Sequence, residues 1–186
     1  MAARSARMPA PAASPAAASQ TLGSTPIVNV HVVYDRKVTD FSFAAAVGSP
    51  VQWFFDRTDS SGLRRLHPTG QYLAVTVSAA DDVIDTRSGV LQSRFVDELA
   101  RLLPAARKAD VVDAFVTRER RATFDQSAGN ATLRPARDAG VAGVWLAGAW
   151  TATGWPDTME GAVRSGVAAA EGALGVPPAH AWGVAA

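Results

Sequence analysis

The sequence predicts an α+β fold: a mostly antiparallel sheet with an amphipathic helix, then a closing strand–loop–helix unit. Three observations predict it. Several short runs alternate β-branched or aromatic residues with polar ones, the two-residue period of a half-buried strand. A middle segment places apolar residues at helical spacing. The last third joins a short apolar run to a helix rich in glycine and alanine.

The chain has 186 residues, enough for one domain or for one domain and a tail. Residues 1–24 are rich in Ala, Ser and Pro. Pro9, Pro11 and Pro15 interrupt any apolar run there, so a secretory signal is not expected. The segment reads as a disordered tail that buries too little surface to offset chain entropy, although its composition leaves a transit-like peptide open.

Order is expected from Thr25. Ile27 to Asp35 reads as a strand with Val28, Val30, Val32 and Tyr34 on one face and Asn29 and His31 on the other. His31 reads as a hydrogen-bonded sheet histidine, because nothing nearby in sequence supplies a partner for acid–base work. Phe41 to Val47 suits a short strand, and Gly48-Ser49-Pro50 punctuates the chain. Val51 to Asp56 is an aromatic strand whose Trp53, Phe54 and Phe55 read first as core and second as the wall of an apolar pocket. Arg57 to Gly70 reads as a loop and Gln71 to Ser78 as the next strand.

A helix is predicted from Ser88 to Leu103, with Leu91, Phe95, Leu99, Leu102 and Leu103 as its stripe. Ser88 is the expected N-cap, and Pro104 closes the segment. Val111 to Thr117 alternates as a strand, and the charges Arg118 to Arg121 read first as its solvated end and second as a phosphate or carboxylate contact.

Composition excludes several classes. A formal net charge of +1 gives no concentrated basic surface, so nucleic acid is not expected. There is no cysteine, which removes disulfides, thiolate metal sites and Cys nucleophiles. His31, His67 and His180 lack ligand spacing, so no metal site is expected. No run reaches the roughly 18 apolar residues that suggest a membrane span.

The informative stretch is the last third. Val144 to Ala147 suits a buried strand, with Gly148 at its end. A loop to Asp157 leads into a helix, about Thr158 to Leu174, with Asp157 or Thr158 as cap and Glu160 in its first turn. Positions 161, 165, 168, 169 and 172 are all Gly, Ser or Ala and form a smooth stripe. Each interior glycine costs about 0.8–1 kcal/mol relative to alanine, so close approach to a sheet or a ligand is implied. An anion cradle at the helix start and plain tight packing both satisfy this pattern.

Residues 144–171, VWLAGAWTATGWPDTMEGAVRSGVAAAE, resemble the C-terminal flavin motif of the amine oxidases and carotenoid-type desaturases. Within that superfamily, TGWPDTMEGAVRSG resembles the squalene-associated FAD-dependent desaturases of hopanoid synthesis. So do PIVNVHVVYD, SPVQWFFDR, QYLAVTVSAAD and VTRERRATF upstream. The resemblance covers about Thr25 to Gly175. It implies non-covalent FAD, and the missing cysteine rules out a thioether link to it. It implies a lipophilic isoprenoid substrate, most specifically reductive removal of a hydroxyl from hydroxysqualene to give squalene. The expected location is cytoplasmic, with peripheral membrane contact as an additional option.

The resemblance also assigns residues. Gly148 and Ala149 match a Gly–acid pair near the ribityl and pyrophosphate region, with Thr151 in the same loop. Thr158, Met159 and Glu160 match the helix start that faces the isoalloxazine edge. Gly161, Ala162 and Gly166 match the close-packed helix face. No catalytic group is implied; Trp155, Asp157 and Arg164 only lie near the motif. The expected division is a tail over 1–24, a substrate-binding α+β region over 25–140, a flavin-binding strand–loop–helix over 141–175, closing a Rossmann-like domain, and a tail over 176–186.

Two departures bear on function. Ala149 stands where the superfamily carries an acid, which removes a charge-assisted hydrogen bond. No GxGxxG occurs, so the pyrophosphate fingerprint of a Rossmann unit is absent from these residues. The alternative readings are a truncated or split flavoprotein that needs an N-terminal Rossmann partner, and a phytoene-desaturase or amine-oxidase type of enzyme.

Overall fold

The computed structural model describes residues 22–176. The expected tails lie outside them, apart from 22–24 and 176. Two compact units result: Thr25–Ala122 forms one, and the described residues 22–24 and 123–176 belong to the other.

The first unit is a five-stranded sheet of order β2-β3-β4-β1-β5 with one long helix. Its strands are β1 (Thr25–Tyr34), β2 (Phe43–Ala45), β3 (Trp53–Asp56), β4 (Gln71–Ser78) and β5 (Val111–Thr123), the last ending at the unit boundary. The β1–β4, β2–β3 and β3–β4 ladders are antiparallel.

Alternation along each strand decides which side is core. Val28, Val30, Val32 and Tyr34 are buried, as their spacing predicts. Phe54, Leu73 and Val75 share that side. Helix α2 (Ser88–Leu102) packs its stripe of Leu91, Phe95 and Leu99 into the same core, joined by Leu103. Fully burying each such side chain is worth about 1.5–3 kcal/mol.

Several expectations need correction. Trp53 and Phe55 are not core. Only Phe54 points inward, because neighbours in a strand face opposite ways. Arg57 to Gly70 is not a plain loop: it forms the short helix α1 (Thr58–Ser61) and a 3₁₀ turn at Leu63–Arg65. Ser88 does not cap α2. Arg87 holds the N-cap position, and the Ser88 hydroxyl instead accepts from Arg118 at 3.1 Å. Strand β5 runs on through the charged cluster, where Arg118 donates to the carbonyls of Ile84 and Thr86 and Arg120 pairs with Asp85.

In the second unit, Val144 to Ala147 forms no strand. It makes a single bridge, Trp145 to Asp138, with no longer strand beside it among the described residues. Helix α3 (Met159–Leu174) follows close to its predicted limits. Among the described residues, no helix is long and apolar enough to cross a membrane.

Candidate functional site

Helix α3 begins as its sequence dictates. Thr158 adopts an extended conformation, and its hydroxyl accepts from the Gly161 amide at 3.1 Å. Met159 and Glu160 occupy the first turn, where backbone N–H groups have no intrahelical acceptor. Met159 is 89% exposed. Glu160 lies on the favourable side of the helix dipole and pairs with Arg164 at 2.7 Å.

The glycines of α3 do two different things. A Cβ on Gly161 would lie 2.6 Å from the Pro156 carbonyl, and one on Gly172 would lie 2.4 Å from the Trp145 ring. Those glycines are needed for packing inside the unit. A Cβ on Gly166 would meet nothing within 4 Å. Gly166 and Ala162 are exposed, and beside them Met159, Val163, Val167 and Leu174 leave an apolar flank uncovered.

The loop before α3 is tied down at both ends. The Gly148 amide donates to Ser165 Oγ at 2.7 Å, and Ser165 Oγ donates to the Ala162 carbonyl at 2.6 Å. The buried Thr151 returns both its amide and its hydroxyl to the Gly148 carbonyl. Gly148 has φ 143°, and a Cβ there would strike the Trp150 indole at 2.3 Å.

Arg134 holds the middle of the loop. Its Nη1 donates to the Trp155 carbonyl at 2.7 Å, and its Nη2 to the Ala149 carbonyl at 2.6 Å and to Thr153 Oγ1 at 3.0 Å. Its charge also sits 5.0 Å from the Phe124 ring centre. Burial lowers the Arg134 pKa, and Asp157 opposes that shift. Asp157 Oδ2 accepts the Phe124 amide at 3.0 Å, a structural task. Arg164 lies over the Trp155 ring at 4.1 Å.

The structure thus brings Gly148, Ala149, Thr151, Thr158, Met159, Glu160 and Ala162 into one loop–helix arrangement. A concavity of about 350 Å³ beside it is lined by Thr151, Thr153, Arg137, Arg164, Ser165 and Ala168. Sequence reasoning missed Arg134, Arg137 and Ser165. Ser165 carried a signal as the one hydroxyl in the small stripe, whereas an arginine in an irregular segment carries none.

The first unit holds another polar group. On the sheet face opposite α2, His31 Nδ1 lies 2.7 Å from Tyr72 Oη, and its Nε2 lies 3.0 Å from Thr117 Oγ1. Burial, and then the nearby Arg57 charge, lower the His31 pKa. These partners stand 41 and 86 residues away in sequence, on neighbouring strands, and make His31 the hydrogen-bonded sheet histidine expected of it. Another concavity, of about 400 Å³, lies beside α1. Its buried Gln71 is saturated by Val38, Thr39 and Asp56, which marks it as a structural knot. Among the described residues no cluster of His, Asp and Glu suits a metal ion.

The chain is 32% identical over 145 residues to hydroxysqualene dehydroxylase of Rhodopseudomonas palustris, covering 78% of this chain and 31% of that protein. It is 34% identical over 151 residues to the Sinorhizobium fredii protein of the same name, covering 80% and 32%. The chain therefore spans about a third of the length of these relatives. A solved structure described as a putative protoporphyrinogen oxidase from Exiguobacterium shares the fold, with a TM-score of 0.53 at 15% identity, over 82% of this chain and 35% of that one. The profile of the flavin containing amine oxidoreductases matches residues 3–174, and the chain belongs to that family.

Proposed function

We propose that this chain forms the flavin-closing and substrate-side portion of an FAD-dependent oxidoreductase that removes the hydroxyl of hydroxysqualene to give squalene. The observation that carries the reading is the α3 start. Met159 and Glu160 present first-turn amides, and Ala162 and Gly166 leave a bare strip beside them. Backbone donors and small side chains suit the edge of a planar ring bound without a covalent link. Gly148, Ala149 and Thr151 would hold the adjoining ribityl region, with Ala149 offering only backbone groups.

FAD, when bound, supplies two-electron hydride chemistry. The residues of this chain orient it and exclude water. Ser165 and Arg134 fix the loop, and Thr158 fixes the helix start. The apolar flank of α3, with Val163 62% and Val167 47% exposed, favours packing against a further polypeptide. We assign that role to a Rossmann partner carrying the pyrophosphate fingerprint, either in the same polypeptide or separate. A lipophilic substrate also suits a peripheral contact with a membrane.

The test is to supply FAD, a reductant and hydroxysqualene to the chain, alone and co-expressed with a polypeptide bearing a GxGxxG unit. Squalene formation supports the reading. Flavin retained in both samples with no squalene in either contradicts the substrate. No flavin retained in either contradicts the cofactor role.

A further inference from the structure

The open face of the sheet is aromatic on β2 and β3 and polar on β1 and β4, where Thr76 donates to Asn29 Oδ1 at 2.8 Å and a second polar centre joins His31 to Tyr72. Strand register places Phe43, Phe55, Ala74 and His31 in one row across four strands. Phe43, Trp53, Phe55 and Phe115 are 58%, 43%, 38% and 40% exposed, so an apolar surface is left in water. Among these rings His31 stacks on Phe115, with centroids 4.4 Å apart and planes 14° from parallel. A concavity of about 390 Å³ there is lined by His31, Tyr72, Phe55, Asn29, Arg57 and Thr76.

The hydrogen-bond count at this centre is uneven. A neutral imidazole has one N–H and one acceptor nitrogen. If Nδ1 accepts from the Tyr72 hydroxyl, Nε2–H donates to Thr117 and the Tyr72 oxygen can still accept. If Nδ1 is protonated, it donates to Tyr72, whose own O–H can still donate. In both tautomers Tyr72 has capacity left for a ligand. An alcohol can meet either need, since it both donates and accepts. A hydrocarbon meets neither.

We propose that Tyr72, held in place by His31 and Thr117, is the hydroxyl-recognition residue of this face, and that the face takes a long-chain polyisoprenoid alcohol in preference to the matching hydrocarbon. The isoprenoid lies on Phe43, Trp53 and Phe55, and its hydroxyl bonds to Tyr72. This deepens the substrate reading given above and rests on it. It also accounts for turnover: a product without the hydroxyl leaves Tyr72 unpaired and is held less tightly.

The test is a binding titration of the full chain with farnesol and with farnesene, followed by tryptophan fluorescence. A Trp53→Phe variant identifies the signal that comes from this face. The native chain is expected to bind farnesol about tenfold more tightly than farnesene, the worth of roughly one hydrogen bond. Tyr72→Phe should erase that preference and leave farnesene binding unchanged. His31→Phe should reduce the preference, and Thr117→Val should reduce it by less. Thermal melts of each variant establish that it is folded. Equal binding of both ligands by the native chain overturns the alcohol site and leaves the polyisoprenoid reading standing. A preference that survives Tyr72→Phe also overturns the site. Binding of neither ligand overturns both.

Discussion

The Gly148 amide donates to Ser165 Oγ across 2.7 Å, joining the loop before α3 to the second turn of the helix it leads into. Ser165 is 2% exposed, so no water replaces it readily. Ser165→Ala leaves the amide unpaired and is expected to cost about 1–2 kcal/mol in a denaturant melt.

Arg134 binds two carbonyls and one hydroxyl with a rigid fork. Arg134→Lys keeps a positive charge but cannot span those acceptors. A loss of about 1.5–3 kcal/mol is expected, and a melt of the lysine variant no different from that of the native chain would show the fork to be dispensable.

Gly166 and Gly172 predict opposite outcomes on one helix. Gly172→Ala drives a methyl into the Trp145 ring and should destabilise. Gly166→Ala meets open space and should stabilise the chain by about 0.5–1 kcal/mol through helix propensity. The pair is read by comparing thermal midpoints.

Tyr34 is buried, its hydroxyl has no hydrogen-bond partner among the described residues, and burial pushes its pKa up to about 12. Tyr34→Phe removes an unpaired polar group and should be neutral or stabilising by up to about 1 kcal/mol. Destabilisation in the melt would mean that the hydroxyl is satisfied in solution.

His31 gives a pH dependence of definite sign. Burial, then Arg57, hold its folded pKa below 6.5, the usual value. Below 6.5 the unfolded chain therefore binds more protons than the folded one, and the stability contribution is lost as pH falls through the folded pKa. Above pH 6.5 both states are neutral at this residue, and the contribution is constant. Stability measured from about pH 7 to 5 should fall less steeply in His31→Asn than in the native chain.

What the sequence revealed depended on how local the cause was. The β1 alternation, the α2 stripe and the α3 cap, narrowed by sequence to Asp157 or Thr158, are local, and each was legible in a few residues. Ser88 looked like a cap by local rules, but a strand residue 30 positions away, Arg118, took its hydroxyl. The apolar run at Val144 to Ala147 has strand composition, yet a strand needs a partner, and among the described residues only Asp138 bridges to it.

The candidate site divides in the same way. The motif over 148–162 is contiguous and could be read directly. The Arg134 fork and the Tyr72–His31–Thr117 group are assembled by tertiary folding from distant positions, which no spacing rule reports. The aromatic strand was legible as costly to expose. Which of its rings face inward follows from the register with β4.

The central claim is that the loop and the α3 start contact a flavin. Amide chemical shifts of the isotope-labelled chain, followed during titration with FAD, test it even where binding is weak. The account predicts saturable shifts concentrated at Gly148, Thr151, Met159, Glu160 and Ala162, reduced by a bulky Gly166→Leu substitution. Shifts that avoid these residues, or none at millimolar FAD in a folded sample, would contradict it.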